Sequence, residues 1–349
     1  MLARSEDGIV FAIPSKGSLY EGTLSFLKAA GVPVKYQSER QYTALVSGVE
    51  NISVLFQRAE EIPSKVAGGA ADIGLTGEDL YREQIEYADD LLMAMRDLGY
   101  GQARLVVAVP NTWIDVTTMS DLGELALSFR MRHHRNLRIA TKFPNLSREF
   151  LAKHGITDYA LVESLGATES APSTGAADLI IDLTSSGKTL TENHLKALSD
   201  GIVIASQACL VVCRRISTWN KDRLKSLEIF FDLIESHLRG RVTYNLQAAI
   251  RRSKLAELAA HGSHRWHLAY SLPMQEITVN EPRQQEEFVV IRVTCPRQYL
   301  HLVIRRLRES GASEVIVTQP DYVFKEHSEA FQNLNRMLKK MSEDDQTES

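Results

Sequence analysis

The sequence predicts an α/β protein of two lobes followed by a small C-terminal α+β domain. Three observations lead there. Short apolar, β-branched runs recur over the first two thirds of the chain, each followed by a Gly/Ser/Thr turn and a stretch with helical apolar spacing, the βα rhythm of helix-covered sheets. From Phe288 the rhythm changes: Phe288–Thr294 alternates as a strand, Arg297–Ser310 puts Leu300, Val303, Ile304 and Leu307 on one helical face, and Glu314–Thr318 is a second strand. Finally, 349 residues exceed one typical core and fit two or three domains.

In chain order, Gly8–Ile13 reads as a buried strand, Pro14–Ser18 as its turn, and Leu19–Ala30 as an amphipathic helix stopped by Gly31. Pro33 makes Val32–Tyr36 extended. Ile52–Gln57 is the next strand, ending at Arg58, followed by a short helix and the turn and strand Gly68–Gly74. The series Gly-x-x-Asp-x-Gly-x-x-Gly-x-Asp from Gly69 to Asp79 is shared with bilobal proteins of the periplasmic-binding type, and its glycines let backbone approach a ligand. Asp72 within it reads as a structural cap rather than a catalytic group.

Leu105–Val109 is an apolar strand expected to run between the lobes as a hinge. A helix over Met119–Arg132, a strand over Arg138–Thr141, a helix opened by Lys142–Arg148 and a strand over Leu161–Glu163 make up the second lobe, with Gly166–Pro172 starting a further helix. Lys142 and Arg148 bring cations to a helix N-terminus, a second place for negative charge. Beyond it, Leu190–Leu198 reads as helix, Ile202–Ala205 and Cys209–Arg214 as strands returning to the first lobe, and Lys221–Leu238 as a long amphipathic helix. Val242–Asn245 and a helix over Ala248–Ala260 complete the core, and the polar tail after Met341 is expected to be disordered. The expected division is 1–104 for the first lobe, 105–184 for the second, 185–270 for the return and connecting helices, 271–327 for the C-terminal domain, and 328–349 for a helical or disordered tail.

Composition excludes several classes. A hydrophobic fraction of 44% with 24% charged residues is that of a globular protein, and a net charge of −4 gives no electrostatic case for nucleic acid or an anionic membrane. Any bound anion must be held by local cations. The three cysteines, Cys209, Cys213 and Cys295, have neither disulfide-framework nor metal-site spacing and read as buried small hydrophobes. Ile9–Ile13 is too short for a signal segment, and no run approaches the roughly 18 apolar residues of a membrane span. These features predict a cytoplasmic protein with neither membrane nor nucleic-acid partners. The basic run Arg132–Arg135 reads as a solvated loop, not a metal site.

The most informative stretch is Ala177–Leu190. An apolar strand, Leu179–Ile181, gives way at once to Asp182, the hydroxyls and glycine of Thr184, Ser185, Ser186 and Gly187, then Lys188 and Thr189. In an open α/β sheet ligands sit at this carboxyl edge. A loop of small residues turns backbone N–H groups onto one anion, and each charge-assisted hydrogen bond to a phosphate oxygen contributes roughly 1.5–3 kcal/mol. Asp182 repels phosphate but accepts hydrogen bonds from sugar hydroxyls, so the pattern reads as acid for ribose and loop for 5'-phosphate. The same residues also describe an ordinary capped βα connection.

Ser186-Gly187-Lys188-Thr189-Leu190 after Asp182 resembles the phosphoribosyl-pyrophosphate loop of ATP phosphoribosyltransferase, the first enzyme of histidine biosynthesis, with Ser186 where that family has Thr. Arg104–Pro110, Lys142–Leu146 with the strand before it, and Gly166–Pro172 are similar to segments of the same family. Pro14-Ser15-Lys16-Gly17-Ser18-Leu19 resembles its Pro-Lys-Gly-Arg-Leu, with Ser15 inserted and Ser18 in place of Arg. The resemblance is to the long, self-regulated form and implies a periplasmic-binding-protein-like catalytic core with a ferredoxin-like or ACT-like regulatory domain.

It further implies that N1 of ATP displaces pyrophosphate from C1 of phosphoribosyl pyrophosphate, with magnesium carried mainly by the pyrophosphate. The implied roles are Asp182, Thr184–Thr189 and Glu169 for the sugar donor, and Lys16, Gly17, Arg58, Gly77 and Arg104 for ATP and its phosphates. Asp182, Lys16 and Arg58 would act in catalysis, and no residue is assigned as a metal ligand. Histidine as effector and a homo-oligomer, a hexamer or a dimer, are implied as well, and deletion from about Asn280 is expected to abolish histidine inhibition. The competing reading is a bilobal binding or sensor protein without catalysis.

Overall fold

The computed structural model describes residues 8–36, 43–84, 89–164, 166–251, 253–254, 278–280 and 288–347. Its elements follow in order: β1 (Ile9–Pro14), α1 (Ser18–Ala29), β2 (Val34–Tyr36), β3 (Thr43–Val46), β4 (Ile52–Gln57), α2 (Ile62–Ala67), β5 (Ile73–Gly77), α3 (Glu78–Glu83) and β6 (Leu91–Met95). The chain continues through β7 (Ala103–Pro110), α4 (Met119–His133), β8 (Leu137–Thr141), α5 (Pro144–Lys153), β9 (Tyr159–Glu163), β10 (Leu179–Thr184), α6 (Lys188–Glu192), β11 (Leu195–Ser206) and β12 (Ala208–Cys213). Then come α7 (Lys221–Arg241), β13 (Thr243–Arg251), β14 (Thr278–Asn280), β15 (Phe288–Pro296), α8 (Leu300–Glu309), β16 (Glu314–Thr318) and α9 (Glu329–Thr347).

Three sheets result. The first has the order β2-β3-β4-β1-β5-β12-β6 and the second β11-β7-β10-β8-β9. In each a parallel core, β4-β1-β5 or β10-β8-β9, is flanked by antiparallel strands. This is the bilobal α/β core expected from the sequence. The strands of the parallel cores are continuous apolar runs because helices cover them: Ile9, Phe11, Ile13, Ile73 and Leu75 are buried with Leu27 of α1 and Ile62 of α2. In the second sheet Leu105, Ile139 and Ile181 pack with Met119, Leu122, Leu146 and Leu151 of α4 and α5. On its other face Val106, Ala140 and Ile180 pack with Ala171, Ala177 and Leu190.

The third sheet, β14-β15-β13-β16, is antiparallel throughout, and Val303 and Leu307 of α8 cover Leu246, Ile250, Ile291 and Val293 on one of its faces. By its contacts the chain divides into one unit of Met1–Ile229 with Ala330–Ser349 and another of Phe230–Glu329.

Several expectations are corrected. Leu195 opens a strand where helix was expected over Leu190–Leu198, because Lys196 and Ala197 pair with Val109 and Ala108 of β7. β11 therefore stays in the second sheet, and the return to the first is made by Gln207 alone, between β11 and β12. β7 lies wholly in the second sheet and does not run between the lobes as a hinge strand. Residues 248–251 are strand, not helix, since Ala248–Arg251 continue the ladder of β13 with β15. Ser253 and Lys254 are helical, and the remainder of that expected helix lies outside the described residues. Gly166–Pro172 gives one 3-10 turn, Thr168–Ser170, rather than a helix, and the chain after Met341 is helical as far as Thr347.

Asp72 is a structural group, as expected: its carboxylate accepts from the Val10 N–H at 2.8 Å and pairs with Arg223 at 2.8 Å. All three cysteines are buried and unpaired.

Candidate active site

The carboxyl edge of the first sheet collects one group of expected residues. Pro14 of β1 lies opposite Gln57 of β4, and the Ser15 N–H donates to the Gln57 carbonyl at 2.7 Å. Lys16 and Arg58 thus leave neighbouring strand ends, and both are exposed. Gly17 turns the chain into α1 at φ 81°, a left-handed geometry with open space where a Cβ would stand. The Thr76 hydroxyl donates to the Ala59 carbonyl at 3.0 Å, fixing the Arg58 segment beside β5 and its last residue, Gly77. A Cβ at Gly77 would collide with the Asp79 carboxylate, so this glycine has a local reason as well as an expected ligand.

The second sheet carries the other group. β10 runs two residues beyond Asp182 to Thr184, and the loop is the short Ser185–Gly187 turn before α6. Gly187 is left-handed at φ 77°, a Cβ there would meet nothing within 4 Å, and its N–H donates to the Thr184 hydroxyl at 2.9 Å. The Lys188 N–H reaches the Ser186 hydroxyl at 3.4 Å. Ser185, Ser186, Lys188 and Thr189 are exposed, and Lys188 makes a loose ion pair with Glu192 at 3.7 Å. α6 is five residues long, so its dipole adds little and the amides and hydroxyls of the turn must do most of the work.

Asp182 is half-buried. Burial pushes its carboxyl above the usual range, Glu169 adds to that push, and the Leu183 N–H, Lys142 and a hydrogen bond from Thr168 pull it back. Asp182 and Glu169 therefore stand within each other's field. Glu169 sits on the 3-10 turn entered through Ala167, a non-glycine residue at φ 48°; such strain persists where the surroundings hold it. Buried Thr168 is fixed by the Ser164 hydroxyl at 2.9 Å.

Arg104, on β7, lies opposite Thr184 and Ala205. A cavity of about 300 Å³ joins Arg104 and Ser185 with Gln102, Ser206 and Gln207, so two of the expected residues share one described space. Its wall contains groups that no sequence pattern singles out. The Ser206 hydroxyl donates to the Asp79 carboxylate and accepts the Asp79 N–H at 3.0 Å. The Gln207 carbonyl accepts the Glu78 N–H at 2.9 Å, and its side-chain amide oxygen accepts from the Gly99 N–H at 3.2 Å. Asp79 is buried, and desolvation raises its carboxyl above the ordinary value.

The backbone amides at the start of α5 need no outside anion. Glu83 of α3 places its carboxylate there, accepting from the Asn145 N–H at 2.8 Å and the Leu146 N–H at 3.0 Å. The chain itself supplies the negative charge to those amides, which corrects the expectation for the helix end but leaves the exposed Lys142 ammonium out of that contact. No signal in the sequence links Glu83 to Asn145, because their contact depends on how two sheets meet. Among the described residues no group of three or more His, Cys, Asp or Glu stands ready for a metal ion.

Comparison with known proteins gives one family. Its sequence profile, ATP phosphoribosyltransferase, matches residues 58–233. An ATP phosphoribosyltransferase of Bradyrhizobium diazoefficiens is 38% identical over 333 residues, covering 95% of this chain and 98% of that protein. One from Brucella melitensis is 51% identical over 212 residues, 60% of this chain and 92% of its own length. Among solved structures, a chain of an ATP phosphoribosyl transferase complex from Thermotoga maritima is 27% identical, with a TM-score of 0.49 over 65% of this chain and 98% of that one.

Proposed function

The chain belongs to the ATP phosphoribosyltransferase family, and from that premise we propose how its residues divide the work of the first step of histidine biosynthesis. In that step a lone pair on N1 of ATP forms a bond to C1 of phosphoribosyl pyrophosphate, while the C1–O bond breaks and its electrons leave with pyrophosphate. Direct displacement needs two oriented substrates and stabilised charge rather than a protein nucleophile.

Thr184, Ser185, Ser186, Gly187, Lys188 and Thr189 hold the 5'-phosphate, with the Thr184 and Ser186 hydroxyls releasing the amides they now occupy. Asp182 and Glu169 accept hydrogen bonds from the ribose hydroxyls. Lys16, Arg58 and Arg104 meet phosphates of ATP and pyrophosphate, and Gly17 and Gly77 let backbone come close to the nucleotide. The observation that carries this division is the Thr168–Ser170 turn, with Glu169, lying against β10, whose Asp182 leads into an exposed, glycine-hinged hydroxyl turn. Magnesium enters with the pyrophosphate. Among the described residues no cluster of three or more His, Cys, Asp or Glu surrounds it, which suits an ion that keeps substrate and water oxygens.

The Phe230–Glu329 unit is assigned to histidine control and to a homo-oligomer, hexameric in this reading. The cytoplasm is its compartment: buried unpaired thiols suit a reducing environment, and no helix among the described residues is long and apolar enough to cross a membrane. Mixing the protein with ATP, phosphoribosyl pyrophosphate and magnesium tests the whole reading. Release of pyrophosphate with the adduct's ultraviolet absorbance is expected, and tight donor binding with no turnover would favour the sensor reading instead.

A further inference from the structure

The second sheet places one more cation beside the ribose acids. Thr141, the last residue of β8, lies directly opposite Ile181 of β10, so Lys142 is the next step on its strand as Asp182 is on the other. Ala140 and Ile180 share a core face with Val106. By alternation Asp182 and Thr184 continue that face to the carboxyl edge, where Arg104 of β7 also lies, opposite Thr184, and Lys142 follows directly on the end of β8. Asp182 therefore has a cation on each neighbouring strand, Arg104 on the loop side and Lys142 on the side away from it.

Lys142 is exposed, and its field reaches Asp182 across the gap between the strands. Adjacent strands are separated by about 4.8 Å, the scale of a furanose ring. With the 5'-phosphate in the turn after β10 and the ribose hydroxyls on Asp182 and Glu169, C1 and its substituent point past the hydroxyls, toward the tip of β8. We infer that Lys142 also binds the pyrophosphate on C1 and stabilises the negative charge that it gains as the C1–O bond breaks. A cation is needed there, because the two carboxylates that orient the ribose would otherwise repel the leaving group. This assignment rests on the placement of the 5'-phosphate in the turn proposed above.

Two partial ligands separate the two readings. Calorimetry on the full chain should show wild type binding both ribose 5-phosphate and magnesium pyrophosphate. Lys142→Met, at an exposed position, should keep the wild-type melting temperature, weaken pyrophosphate about 10- to 100-fold and leave ribose 5-phosphate within about twofold. Its kcat/KM for the sugar donor should fall about 100-fold, and Lys142→Arg should recover part of both losses. Pyrophosphate bound by Lys142→Met as tightly as by wild type overturns the inference while the loop reading stands. Wild type that fails to bind ribose 5-phosphate overturns the loop reading and this inference with it.

Discussion

Asp182 is the residue on which substrate binding should be most sensitive. It must be ionised to accept two hydroxyl hydrogens, and burial raises its carboxyl above the ordinary value. The affinity for phosphoribosyl pyrophosphate is therefore expected to be full above that raised value and to fall as the pH drops through it, an acid limb seen in kcat/KM. Asp182→Asn should lose about 10- to 100-fold in kcat/KM and lack that limb, since charge-assisted hydrogen bonds of roughly 1.5–3 kcal/mol are replaced by weaker ones. At this scale the strand end at Asp182 and Thr184 and the left-handed turn at Gly187 are legible in the sequence, because hydroxyls and a glycine behind an apolar run mark a βα turn whatever it binds. Ser206 and Gln207 are not: small and polar, they take their meaning from Asp79, Glu78 and Gly99, which reach them only in the folded chain.

Among the elements, the Ser185–Gly187 turn and the α3–α5 contact are the ones to test. Gly187 has open space around it, so Gly187→Val introduces no clash; the strain of a left-handed β-branched residue should destabilise by about 1–2 kcal/mol. Turnover should fall much further than that loss of stability explains, since the new side chain stands where phosphate is expected. Kinetics and a urea melt on one preparation separate the two effects.

Glu83 caps α5 from another element, and Glu83→Gln should cost about 1 kcal/mol in urea unfolding at neutral pH. Burial holds the Glu83 carboxyl above its ordinary value, so the native state keeps this proton to higher pH than the unfolded chain. Its contribution is therefore greatest below the ordinary glutamate value and declines as the pH rises through the raised one; the glutamine variant should lack that decline. Helix over Leu190–Leu198 is not settled at this scale, because Leu195 and Leu198 fit a helical stripe as well as a strand, and pairing with β7 decides between them.

For the whole molecule, the structure changes how the regulatory assignment should be tested. A truncation from Asn280 would leave β13 without β15 and β16 and expose Leu246, Ala248 and Ile250. A cleaner deletion removes 242–318: the Gln319 side chain already donates to the Arg241 carbonyl at 2.9 Å, so a short Gly/Ser linker can join Arg241 to Gln319 and keep α7 and α9. The deleted protein should retain donor binding and lose inhibition by histidine. Inhibition that survives would move the effector site out of this sheet. The sequence by itself determined the fold class, the order of most strands and the glycine-hydroxyl turn after β10, because apolar periodicity and such turns are local properties of the chain. Only tertiary structure decided that β11 stays in the second sheet, that Glu83 answers the α5 N-terminus, and that Lys142 stands beside Asp182. Those facts depend on strand register and on which edges meet, and neither is encoded in any one segment.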